Sequence, residues 1–117
     1  MPGNRVVLHH GTTRRRAEAI LRDGPNSNFI EPGDFTKTEG FSAALAGGPF
    51  PARTPEEYAI RKSQLFLEEG GPAVVEFEVP EELMELIEDL LPEVRFDWGF
   101  GLEELIALWP TLPRRIL

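Results

Sequence analysis

The chain contains no cysteine, one tyrosine and two histidines, and each scarcity removes a class of chemistry. Without thiols there are no disulfide staples, no thiolate zinc sites and no cysteine nucleophile, which fits a cytosolic setting. His9 and His10 are the only imidazoles and are adjacent in the sequence. Neighbours on a strand point to opposite faces, so both cannot easily serve one metal, and no metal site is expected. No apolar run is long enough to cross a bilayer, and Met1-Pro2-Gly3-Asn4-Arg5 lacks the apolar stretch of a secretory leader. Basic charge is scarce as well: 12 Lys and Arg face 20 Asp and Glu, and the net charge of −8 argues against general nucleic-acid binding. There is no nucleophile elbow, phosphate loop or dinucleotide fingerprint; Gly99-Phe100-Gly101 is too short to count as one.

What remains is ordinary globular material, 117 residues with 41% hydrophobic and 27% charged side chains, enough for one domain spanning 1–117 with one modest core. The charge is unevenly spread. Residues 1–16 carry Arg5, Arg14, Arg15 and Arg16 and no acid, whereas 11 of the 20 acidic residues lie between Glu76 and Glu104. A small anionic ligand near the N-terminal segment is therefore compatible with an acidic protein.

The stretch Val6-Val7-Leu8-His9-His10-Gly11-Thr12-Thr13 reads as a buried strand that ends on a polar rim. Thr12 or Thr13 can cap the helix that follows, and Gly11 allows close approach to the main chain. That helix spans Thr13 to Arg22 and stops at Asp23-Gly24-Pro25. Pro25 to Glu39 reads as a loop pinned by Phe29 and Phe35, and Gly40 to Leu45 as a short strand. Thr54, Pro55 and Glu57 form a capping box for a second helix, which Gly70-Gly71 stops. Ala73 to Val79 is the clearest strand, with Val75, Phe77 and Val79 on one face and Val74, Glu76 and Glu78 on a largely wet one. A third helix is expected from Pro80 to Leu91, a strand from Glu93 to Trp98, a helix from Leu102 to Trp109 and a docked C-terminal arm. Helices and strands interspersed without strict alternation suggest an α+β domain.

The chemistry that suits these residues is cleavage of a glycosidic bond in a nucleotide. Departure of a charged base from ribose passes through an oxocarbenium-like state, which one carboxylate can stabilise while hydrogen bonds fix the sugar hydroxyls. An imidazole (His10), a main-chain glycine (Gly11), an aromatic platform (Tyr58 or Phe41) and a glutamate (Glu93) would supply the parts.

Leu8-His9-His10-Gly11-Thr12, followed by Ala17-Glu18-Ala19-Ile20-Leu21-Arg22-Asp23-Gly24, resembles the first motif of the ADP-ribosyltransferase superfamily in its diphtheria-toxin and poly(ADP-ribose) polymerase-like branch. There a strand ends in His-Gly-Thr or His-Gly-Ser and an ILxxG helix follows. Glu39-Gly40-Phe41-Ser42-Ala43 takes the place of the family's GxYxx strand, and Tyr58-Ala59 resembles the position of a second stacking aromatic. Gly71 to Pro80 looks like the next core strand, and Glu93-Val94-Arg95-Phe96-Asp97 like the strand that begins with the catalytic glutamate.

The resemblance implies two small packed β-sheets with flanking short helices, NAD as substrate, and transfer of ADP-ribose to an acceptor that could be a protein, a nucleic acid or a small molecule. It implies that His10 binds the ribose, Gly11 the nicotinamide amide, and Glu93 orients the ribose and stabilises the cation. Thr12, Phe41, Ser42 and Tyr58 would complete the NAD site. The family's second-motif tyrosine is replaced by Phe41 and Ser42, so a catalytically inactive module that binds a nucleotide, or a protein through Trp98, Phe100 and Trp109, stands as the alternative. Glu103 and Glu104 are rivals of Glu93 for the carboxylate role.

Overall fold

The computed structural model describes residues 4–25, 40–87 and 92–117. Five strands form one antiparallel sheet: β1 (Arg5–Thr13), β2 (Gly40–Leu45), β3 (Pro72–Pro80), β4 (Glu93–Asp97) and β5 (Arg114–Ile116), in the order β4-β2-β1-β3-β5. The helices are α1 (Arg14–Asp23), α2 (Pro55–Leu65), the single turn α3 (Glu81–Met84) and α4 (Leu102–Leu108), with 3-10 turns at Leu67–Glu69 and Trp109–Thr111. The α+β class is as expected. The expected pair of packed sheets is not what forms: among the described residues there is one sheet, because β1 pairs with both β2 and β3 and joins them into a single surface.

The alternation of β1 and β3 decides which residues meet. Leu8 lies opposite Phe77 and His10 opposite Val75, so the even residues of β1 share a face with Val75, Phe77 and Val79. That face carries the core, where Leu8, Val75, Phe77, Val94 and Phe96 pack against Ala17 and Ile20 of α1, Leu105 of α4 and Trp109. Phe77 and Trp109 are in direct ring contact, with centroids 5.2 Å apart. The indole N–H of Trp109 donates to the carbonyl of Leu21 at 3.2 Å, so the polar atom of this buried ring is satisfied.

α2 covers the opposite face. Its N-terminal turn lies so close to β1 that a Cβ on Gly11 would sit 1.9 Å from the carbonyl oxygen of Pro55. Val74, expected on the wet face, is buried, since α2 packs there against β3. The capping box that starts α2 is formed as read, with Thr54 Oγ1 accepting from Glu57 N–H at 3.2 Å and Glu57 Oε1 accepting from Thr54 N–H at 3.0 Å.

β1 runs through the expected polar rim to Thr13, because β3 pairs with it along its whole length, from Arg5 opposite Pro80 to Thr13 opposite Pro72. Thr13 then caps α1, its hydroxyl accepting from Arg16 N–H. One further expectation, the length of the third helix, needs correction. The third helix is one turn only, since the N–H groups of Glu85, Leu86 and Ile87 bond three residues back and tighten the chain out of α-geometry. The rest of that expected helix, 88–91, lies outside the described residues, as does the loop segment 26–39 with Phe29 and Phe35. No helix among the described residues is long and apolar enough to cross a membrane.

Candidate functional site

The site follows from an interruption in the ladder between β1 and β2. Val7 O accepts from Ala46 N–H at 3.0 Å, which makes this a hydrogen-bonded position of the antiparallel pair. Such positions recur at every second residue, so Val7, His9 and Gly11 turn their peptide groups toward β2. The printed register continues through Leu8 opposite Leu45 and His9 opposite Ala44, and there the pairing stops among the described residues. The next regular rung would join Gly11 to Ser42 through both their N–H and C=O groups.

Two side chains stand where that rung would be. Lys62 Nζ donates to the Gly11 carbonyl at 3.2 Å, and His10 Nδ1 donates to the Ser42 carbonyl at 2.6 Å. A carbonyl oxygen can only accept, so Nδ1 carries a proton in this bond. His10 is held in this pose by Phe41, whose ring lies 4.3 Å away and is tilted by 31°.

The parted strands form the floor of a cleft. It is lined by His9, His10 and Gly11 from β1, Ser42, Ala43 and Ala44 from β2, Glu93 at the start of β4, and Tyr58 and Lys62 from α2, with Pro51 and Pro55 at its edge. It encloses about 430 Å³ counting its open mouth. Glu93 reaches this cleft because β4 pairs with β2: Glu93 stands opposite Ala44, on the face that carries His9 and Gly11.

His9 leaves β1 on the α2 side and does not share its orientation with His10. Its Nε2 donates to Glu76 at 2.9 Å, and Arg115 donates to the other oxygen of the same carboxylate at 2.8 Å. These residues stand opposite one another on β1, β3 and β5, a ladder of side chains across the sheet. The hydrogen bonds from His9 and then Arg115 hold the Glu76 carboxyl below its ordinary range.

The structure thus brings His10, Gly11, Ser42, Tyr58 and Glu93 to one cleft. It places two of the expected ligand residues elsewhere. Thr12 is buried and is not among the lining residues. Phe41 is turned into the core, stacked between His10 and Phe77, so it positions the imidazole and offers no open platform. Glu103 and Glu104 stand exposed in the first turn of α4, outside the cleft lining. Of the three aromatics considered for a partner surface, Trp98 and Phe100 are exposed but Trp109 is a core residue. Among the described residues no group of three His, Asp or Glu side chains is arranged to hold a metal ion.

No model of a known family matches the chain, and no curated protein and no solved structure matches it either.

Lys62 is the cleft residue that sequence reasoning missed. It lies on α2 one turn from Tyr58, and nothing in the local sequence says that this side of the helix faces a parted pair of strands.

Proposed function

We propose that the cleft binds the nicotinamide end of NAD and that the protein is an ADP-ribosyltransferase-like enzyme, breaking the nicotinamide–ribose bond and passing ADP-ribose to an acceptor. The observation that carries this reading is the missing rung between Gly11 and Ser42 inside a cleft that also holds Glu93 and Tyr58. A primary carboxamide has one N–H edge and one carbonyl, the complement of an unpaired strand edge. It can therefore take the place of a neighbouring strand at Gly11.

The other groups then have defined tasks. Tyr58 is the aromatic available to stack on the pyridine ring, and the His10 imidazole is placed to hydrogen-bond a ribose hydroxyl. As the C1′–N bond breaks, its electron pair leaves with nicotinamide, and the ribose becomes an oxocarbenium ion beside the Glu93 carboxylate. The acceptor's nucleophile closes on C1′ and gives up its proton to a base or to water. The cleft opens to solvent, so the ADP half of the ligand would lie beyond its mouth.

One observation favours a second reading, a module that binds the ligand without turning it over. The residue in the place of the family's second-motif tyrosine, Phe41, faces the core beneath His10.

Nicotinamide release from NAD, measured alongside melting temperature for the wild type, H10A and E93Q, separates these readings. An enzyme releases nicotinamide and loses about a hundredfold or more of the rate in E93Q while still being stabilised by NAD. Stabilisation without release in the wild type establishes the binding module. Neither stabilisation nor release at millimolar NAD refutes both.

A further inference from the structure

The two side chains on the missing rung are not equivalent. His10 is anchored by its strand neighbour Phe41 and lies on the core face. Lys62 reaches the Gly11 carbonyl from another element, α2, across the cleft itself. It takes the same oxygen that a carboxamide N–H would need on the reading given above. A carbonyl oxygen has two lone pairs, but the Lys62 ammonium stands 3.2 Å from this one within the cleft itself, so it and a ligand amide crowd the same approach.

We propose that Lys62 is a latch on the open rung: it satisfies the Gly11 carbonyl in the empty cleft and must swing away when a carboxamide ligand enters. The proposal rests on the reading of the cleft as a carboxamide site and adds the means by which access to that site is controlled. The physical need is clear. A peptide carbonyl turned from its partner strand and covered by a helix has to find a donor, and a long flexible side chain supplies one that can be withdrawn without unfolding either strand. The swing costs the charge-assisted bond, so the latch lowers the affinity of every ligand that needs the Gly11 oxygen. It does not lower that of a ligand lacking an N–H donor.

This difference gives the test. Binding of nicotinamide and of nicotinic acid is measured by calorimetry on the wild type, K62M and K62R, with each variant's melting temperature recorded to establish folding. K62M keeps the aliphatic stem and removes the donors; K62R keeps a donor. The expected result is that K62M binds nicotinamide about tenfold tighter than the wild type, the value of one hydrogen bond to a charged group. K62R should resemble the wild type, and K62M should gain nothing for nicotinic acid, whose carboxylate has no proton to offer Gly11. Equal or weaker nicotinamide binding by folded K62M overturns the latch and leaves the carboxamide site standing. Binding of nicotinamide by none of the three proteins overturns the site and the latch together.

Discussion

Gly11→Ala tests the packing on which the cleft depends. The methyl group would be placed 1.9 Å from the Pro55 carbonyl oxygen, 2.8 Å from the Pro55 carbonyl carbon and 3.0 Å from Ala59 N. These are backbone atoms of the first turn and a half of α2, so no rotamer change relieves the clash. The shortest contact lies about 1.5 Å inside ordinary van der Waals distance, and in a close-packed interior the whole helix must move by a comparable amount. Such overpacking costs typically 1–3 kcal/mol, and the rigidity of the opposing atoms puts this case near about 3. For a domain of this size the melting temperature should fall by roughly 12–20 °C. Because α2 also carries Tyr58 and Lys62, ligand binding should weaken in the fraction that remains folded. Gly71→Ala is the control, since a Cβ there meets nothing within 4 Å and no positive φ is involved. Differential scanning fluorimetry and urea unfolding read both variants. A Gly11→Ala protein that melts within about 2 °C of the wild type would refute the claim that α2 rests on bare backbone at this position.

Other consequences follow from single contacts. Glu69 accepts from Arg16 Nε at 2.6 Å and from Thr13 Oγ1 at 3.0 Å, and Arg16 foremost holds its carboxyl below the ordinary value of 4.5. A depressed folded pKa contributes stability that is complete above the unfolded value and is lost as pH falls from there through the folded one. The wild type should therefore lose stability below about pH 4.5, while E69Q, about 2 kcal/mol less stable at neutral pH, should lose less on acidification; parallel pH curves for the two would contradict this. Trp109→Phe removes the bond to the Leu21 carbonyl, which still accepts from Arg114 Nε at 2.7 Å, so urea unfolding should show a loss of about 1–2 kcal/mol against about 4 for Trp109→Ala.

Features governed by neighbours in the chain were legible in the sequence. The capping box at Thr54, the stop at Gly24 and the alternation of β4 depend on residues a few positions apart, and each forms where expected. Gly24 also has a tertiary reason that the sequence hides: its positive φ places it against the Trp109 ring, where a Cβ would come within 3.1 Å. Features decided by pairing across the chain were less legible. The full length of β1 depends on β3, sixty residues on, and the burial of Val74 depends on α2 lying over the sheet.

The candidate site divides in the same way. His10 and Gly11 stand out because an imidazole and a glycine follow directly on an apolar run, and Glu93 because it opens an alternating strand. Lys62 does not, because a lysine on an amphipathic helix is ordinarily a solvated one. Its place on the Gly11 carbonyl is fixed by the parting of β1 from β2 after His9, and no local pattern encodes that. Phe41 was misjudged for a related reason: strand parity, which follows from the register of β2 against β4, turns its ring to the core.

The central claim is that the open rung at Gly11 and Ser42 receives the amide of NAD. Titration of uniformly ¹⁵N-labelled protein with NAD, followed through the backbone amide signals, tests it most directly. The account predicts saturable shifts largest at Gly11 and Ser42, smaller ones at neighbouring Tyr58 and Glu93, and their loss in H10A. Unmoved signals at millimolar NAD, or shifts confined to α1 and α4, would contradict it.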